Sequence, residues 1–475
     1  MTKYPRPEIK RILLGRNHGL GDDVMALPLI SQLKQVFPLA HLTVMCRQLS
    51  QPIFAGNPLI DEIIIDELDA QKKNQPSSNI FKLLNFARQI KAKKFDLSVL
   101  TWGNETHAYL GWLAGIPWRI GDKLTYRAGW TFNLGLKRKF YHFNYHYLEL
   151  NLQLLRPVCP NCETIISPTI NFKDHAFIEQ ISADHNFNTN DVLIAFSLGT
   201  SGANKYWRPE RQIELIKLLL AEPKVRVLLL GGQEFAGQAQ TISQQFSKEQ
   251  VINLVGQSDV GQLISILRLC QLHICFDSGP MHLGAALKVP TLAIFLSKSQ
   301  LPTQWGPWET EQIILKRGTS PCPKRCSAPS CQLDLCQEDV TPAEVYTAAQ
   351  KLLNHQGLKN KPEIRAAWQK LSYSIVLWHN NSSKEAKDIT NCLKQDGYKA
   401  LLVRQNTHLS TLIKLFNQEK VNLLHLIGQP SLFVRLRLFL LKKYYKTDLV
   451  IATGLPKSIS SQDLINYYET LVRGQ

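Results

Sequence analysis

The 475-residue sequence predicts an α/β fold built on parallel sheets, and three observations carry that prediction. Short apolar runs of strand length alternate with segments that repeat apolar residues at helical spacing. That pattern lays parallel strands in one layer with helices on both faces. The alternation pauses at residues 157–168 and again at 357–370, dividing the chain into residues 1–165, 170–356 and 371–475. In the middle segment polar loops recur where strands end, the edge at which open parallel sheets bind ligands.

In the first segment Arg11, Ile12, Leu13 and Leu14 open as a strand. The loop at 15–23 carries Gly19 and Gly21, which permit close approach of backbone and ligand, but it lacks the full dinucleotide fingerprint. Residues 24–36 have helical periodicity, with Pro28 near the start. Strands are expected at 41–45, 61–66 and 95–100, a polar loop at 71–79 and an amphipathic helix at 80–91. Residues 118–135 interleave Trp118, Tyr126 and Trp130 with Arg119, Lys123 and Arg127. Aromatic faces beside cations suit a sugar or phosphate-bearing acceptor. A packed loop with snorkelling basic chains has the same composition. His142 and His146 lack metal-ligand company and read as packing or surface residues.

In the second segment residues 192–197, 225–230, 251–254, 272–276 and 291–295 read as strands, with helices at 210–221 and 260–269. The loop at 198–209 carries Thr200, Ser201, Lys205 and Trp207, and the strand at 225–230 ends on Gly231, Gly232, Gln233 and Glu234. The strand at 272–276 runs into Asp277-Ser278-Gly279-Pro280-Met281-His282 and a helix of small residues. Free N–H groups and the positive end of the dipole at such a helix start suit a diphosphate. Pro280 fits the first turn. A turn capped by Ser278 or Asp277 satisfies the same residues; the convergence of three polar loops on one sheet edge favours a ligand site.

The third segment reads as a small α/β unit with strands at 373–378, 399–403, 421–426 and 448–451, and no catalytic constellation. Its basic, apolar stretch at 432–445 reads as a buried crossover helix with a basic end rather than as a helix lying on a membrane.

Lys and Arg number 55 against 38 Asp and Glu, a net charge of +17 that favours anionic partners. No basic-aromatic RNA signature, helix-turn-helix or finger spacing is present, so nucleic acid is not an expected partner. No apolar run is long enough to span a bilayer and the N-terminus has no apolar core, so a cytoplasmic protein is expected. Cys46, Cys159, Cys162, Cys270, Cys275 and Cys392 are scattered and read as core thiols. Cys322, Cys326, Cys331 and Cys336 are bunched. They suit a structural Zn or Fe site, or free or reversibly paired thiols.

Four motifs in order resemble glycosyltransferase family 9, known for lipopolysaccharide heptosyltransferases. They are Gly21-Asp22 with Leu27-Pro28; Arg119-Ile120-Gly121; Thr200-Ser201 ahead of Lys205-Tyr206-Trp207 and Pro209-Glu210, with Arg208 inserted; and Asp277-Ser278-Gly279-Pro280-Met281-His282-Leu283. The resemblance implies a GT-B fold: two facing doubly wound Rossmann-like domains, the first on the acceptor side, the second binding a nucleotide sugar. It implies metal-independent, inverting transfer of a heptose from ADP-heptose to a lipopolysaccharide core-type acceptor. Such an anionic glycolipid brings peripheral contact with the inner membrane. Asp22 is then the base. Lys205, His282 and the N–H groups of Ser278 and Gly279 meet the leaving diphosphate, with hydroxyls from Thr200 and Ser201. Asp277 accepts from the sugar and Glu234 from the ribose or base, while Arg119, Lys123 and Arg127 serve the acceptor. Family members that modify autotransporter proteins hold iron on a cysteine cluster, so a protein acceptor is the alternative. A catalytically silent binding or scaffold protein is the other, although keeping Asp22, Lys205 and His282 together argues against it. The extra small C-terminal α/β domain at 371–475 lies outside the family pattern.

Overall fold

A computed structural model describes residues 8–16, 19–68, 80–102, 105–136, 146–159, 168–200, 205–296, 301–316 and 340–354, together with four strands of the C-terminal segment. The chain divides into two compact units, Met1–Asn360 and Lys361–Gln475.

The first unit holds two parallel sheets. Strands β1 (Arg11–Arg16), β2 (His41–Cys46), β3 (Glu62–Ile65), β4 (Leu97–Trp102) and β5 (Trp118–Ile120) take the order β3-β2-β1-β4-β5. Strands β6 (Val192–Ser197), β7 (Val225–Leu230), β8 (Val251–Asn253), β9 (Leu272–Phe276), β10 (Thr291–Ile294) and β11 (Gln312–Leu315) take the order β11-β10-β9-β6-β7-β8. The central strands are apolar without alternation because both faces are covered. On β1, Ile12 and Leu14 join a core shared with the helix Leu27–Val36, and Leu13 faces the helix Ile80–Ala92 with Leu83 and Phe86. Strand order reverses between β1 and β4 in one sheet and between β6 and β9 in the other. Those are the switch points at which such sheets open a crevice. In the second unit β12 (Ser374–His379), β13 (Lys399–Arg404), β14 (Val421–Ile427) and β15 (Val450–Thr453) form a parallel sheet of order β13-β12-β14-β15.

Several expectations change. The single helix expected at 24–36 is two helices, Leu20–Val24 and Leu27–Val36, broken at Met25 and Ala26. Pro28 has no N–H to give and its ring would meet the carbonyl of Val24, so the first helix stops and the second begins with the proline in its first turn. Asp22 therefore sits inside a short helix, not on a loop. The helix Glu105–Leu113, the short β5 within the basic-aromatic stretch, and β11 are additional. His146 is the N-cap of the helix Tyr147–Gln153; its Nδ1 accepts from the N–H of Leu148 at 3.3 Å. Cys46, Cys270 and Cys275 are buried free thiols, but Cys159 is disulfide-bonded and not a core thiol. The stretch 432–445 lies outside the described residues.

Candidate active site

Two helix starts meet at the crevice of the first unit. The strand β1 ends on Arg16, a guanidinium with no exposed surface. Its Nη2 lies 3.2 Å from Asp22 Oδ1 and its Nε 3.4 Å from Asp23 Oδ1. Its Nη1 donates to Thr101 Oγ1 at 3.3 Å, reaching β4 across the switch point. The two carboxylates differ in surroundings. Asp23 is sealed, accepts from the Ser50 hydroxyl and has Arg47 Nη2 at 3.9 Å. Burial pushes its carboxyl up to about 6, against the downward pull of Arg16 and Ser50. Asp22 keeps 13% of its side chain exposed and accepts the N–H of Gly19 at 3.2 Å. Only Asp22 is open to a reactant.

The helix Gly279–Ala286 packs against this one. A Cβ on Gly21 would stand 2.5 Å from Cδ2 of His282, and one on Gly279 would stand 3.0 Å from Cβ of Leu20. Glycine at both positions is what lets the two first turns touch. Gly21→Ala should therefore displace the buried His282 ring and cost about a hundredfold in turnover, with a smaller loss of stability of about 1–3 kcal/mol from overpacking. Steady-state rates beside a thermal melt check it.

Ser278 is the N-cap residue of the helix Gly279–Ala286, but its hydroxyl donates back to the carbonyl of Phe276 at 3.1 Å and makes no cap. The first N–H groups of that helix are thus not taken by Ser278, as an anion site requires. Burial pushes His282 down to about 4. The ring expected to meet the diphosphate is therefore neutral and donates one N–H.

The loop after β6 is anchored from below. Trp207 is fully buried, 5.9 Å edge-on to Phe276, and Gln212 Nε2 donates to the carbonyls of Leu198 and Trp207 at 3.0 and 2.8 Å. Thr200 and Lys205 lie along this loop; Ser201 lies outside the described residues. Phe235 ties it to the loop after β7. A Cβ on Gly199 would meet the Phe235 ring at 2.2 Å, and that ring stands edge-on to Tyr206 at 5.3 Å. Phe235 thereby fixes the turn Gln233–Phe235 that displays the exposed Glu234.

The basic residues expected on the acceptor side, Arg119, Lys123 and Arg127, are not gathered in the same way. Two nitrogens of the Arg119 guanidinium donate to carbonyls, Nε to Thr131 at 2.7 Å and Nη1 to Ile116 and to Pro117. Lys123 lies over Gly135. Arg127 is exposed. Cys322, Cys326, Cys331 and Cys336 lie outside the described residues, and among the described ones no group of three or more His, Cys, Asp and Glu is placed to hold a metal. Sequence reasoning missed Arg16, Ser50 and Thr101. The available signal was an arginine closing the apolar run after Arg11.

Residues 83–332 match glycosyltransferase family 9 (heptosyltransferase). The chain is 27% identical to a glycosyltransferase of Haemophilus influenzae over 314 residues, 63% of this chain and 86% of the relative. It is 23% identical to lipooligosaccharide heptosyltransferase 2 of Haemophilus ducreyi over 318 residues, 64% of this chain and 88% of the relative. The solved structure of the Escherichia coli ADP-heptose lipopolysaccharide heptosyltransferase II superposes with a TM-score of 0.60 at 21% identity. That match covers 73% of this chain and 99% of the other, and it shows the shared GT-B fold.

Proposed function

We propose that this chain, which belongs to glycosyltransferase family 9 and is a glycosyltransferase, moves a heptose from ADP-heptose to a lipopolysaccharide core-type acceptor with inversion. The observation that carries this reading is the meeting of the two helix starts. Asp22, held by a buried guanidinium, stands on one; Ser278, Gly279 and His282 stand on the other, directly against Gly21. A base and an anion site on touching helices are the two halves of an inverting displacement.

Arg16, with Nη2 3.2 Å from Asp22 Oδ1, orients the carboxylate that serves as base. The acceptor hydroxyl gives its proton to Asp22 as its oxygen bonds the anomeric carbon. On the opposite face the bond from that carbon to the phosphate oxygen breaks, and ADP leaves with the electron pair. Its growing charge is met by Lys205, the N–H groups of Ser278 and Gly279, the neutral ring of His282 and the hydroxyls of Thr200 and Ser201. Fixed donors of this kind need no reorganisation as charge develops. Asp277 takes hydroxyls of the heptose, and Glu234 the ribose or adenine. The names of the Haemophilus ducreyi and Escherichia coli proteins support the heptose and its ADP carrier. A lipid-borne acceptor places the work at the cytoplasmic face of the inner membrane. Among the described residues no helix is long and apolar enough to cross it.

Release of ADP from ADP-heptose, dependent on a lipid A–Kdo-type acceptor, tests the reading. Turnover of a UDP- or GDP-sugar in its place would overturn the donor, and transfer only to protein hydroxyls would overturn the acceptor.

A further inference from the structure

The acceptor-side stretch carries an aromatic surface that faces solvent. Trp112 is 45% exposed and Trp130 is 62% exposed, and their rings meet edge to face with centroids 5.3 Å apart. Tyr109 joins them, 6.3 Å from Trp130. The support beneath is built. Glu105 accepts the N–H groups of Arg127 and Ala128 at 2.9 and 3.1 Å, and the Thr131 hydroxyl donates to the Ala108 carbonyl at 2.9 Å. Tyr126, Ala128 and Phe132 pack inward, so the turn Arg127–Thr131 is pinned to the helix Glu105–Leu113 while Trp130 and Arg127 are held outward.

We infer that this face docks on an anionic lipid bilayer through Trp112 and Trp130. Single exposed apolar residues are ordinary, whereas touching tryptophans are a patch. An indole has an apolar body and one N–H, which suits the boundary between headgroups and acyl chains. Arg127, exposed on the same turn as Trp130, on a chain of net charge +17, is attracted to anionic headgroups. The same charge opposes pairing with a second copy. The surface also sits on the half that carries Asp22. Its helix follows β4, the strand whose Thr101 accepts from Arg16. The inference rests on the reading that the acceptor is lipid-borne and names the surface that would reach it.

The test is sedimentation of the full chain with vesicles of phosphatidylethanolamine and phosphatidylglycerol, without acceptor lipid. The wild type should pellet and its tryptophan emission should shift to the blue. Trp112→Ala with Trp130→Ala should weaken binding about tenfold or more, and Arg127→Glu should weaken binding to anionic but not to phosphatidylcholine vesicles. Unaltered thermal melts establish that the variants are folded. A wild type that stays in the supernatant, or a double variant that pellets like the wild type, overturns the proposal. A double variant that loses affinity only for a soluble core oligosaccharide overturns it also, assigning the rings to a glycan. A chain that consumes no ADP-heptose yet binds vesicles through these tryptophans fails the donor reading and keeps this one.

Discussion

Asp22→Asn should lower the transfer rate by about 10²–10⁴-fold, the span that a positioned general base contributes. The loss should fall on kcat, with the KM for ADP-heptose nearly unchanged, because Asp22 is on the helix Leu20–Val24 and the proposed diphosphate donors are on the helix Gly279–Ala286. Asparagine is the informative replacement. Its amide oxygen can still accept the Gly19 N–H that Asp22 accepts at 3.2 Å, so the short helix keeps its shape while the proton acceptor is gone. Titration calorimetry with ADP should give wild-type affinity. A variant that retains a third of its rate places the base elsewhere, and one that folds normally but loses ADP binding assigns Asp22 to the donor. Asp23→Asn is the matched control. Asp23 has no open surface and is locked against Ser50 and Arg16, so its loss should read out as stability before chemistry.

The contrast between these neighbours shows what the sequence could and could not tell. Alternation of apolar strands and amphipathic helices located both sheets of the first unit, because burial on both faces leaves a run such as Ile12–Leu14 with no polar residue. The polar loops after β6, β7 and β9 were legible for a related reason. Loops at the carboxyl edge of a parallel sheet carry glycines and hydroxyls that a core would not tolerate, and they stand out against it. The contact across the crevice was not legible. Gly21 and His282 are more than two hundred positions apart, and only coordinates show that a ring fills the space a Cβ would take. Arg119 shows a feature that composition could not carry. A basic residue beside aromatics suggested an acceptor contact, and two of its guanidinium nitrogens also donate to the backbone, Nε to the carbonyl of Thr131 and Nη1 to those of Ile116 and Pro117. Composition cannot show which nitrogens of such a cation the backbone takes. Arg16 was overlooked because a lone arginine at a strand end usually reaches solvent, whereas here Asp22, Asp23 and Thr101 close over it.

Arg16→Met should be the most destabilising single change at the site. Methionine fills much of the same volume, so the cost is electrostatic: Asp23 is left as a buried carboxylate with Arg47 3.9 Å away as its nearest remaining cation. Breaking a buried pair in this way costs about 3–5 kcal/mol. The cost should depend on pH, with a sign fixed by Asp23. Its carboxyl titrates near 6 in the folded chain against an ordinary 3.8, so the folded state holds the proton more tightly than the unfolded one. The stability this group contributes is complete below the ordinary value and is lost as pH rises through about 6. Arg16 pulls that carboxyl down, and removing it lets the proton stay on to higher pH. The variant's deficit should therefore be largest near about pH 8, where the wild type keeps an ion pair, and should shrink near about pH 5, where the variant's Asp23 is protonated and neutral. Urea unfolding at the two pH values measures it. An equal deficit at both would mean that Arg16 acts through packing alone. Arg16→Lys separates the two further, since a lysine restores the charge but, as a point donor, cannot hold Asp22, Asp23 and Thr101 on separate nitrogens. It should recover much of the stability at the higher pH and little of the transfer rate.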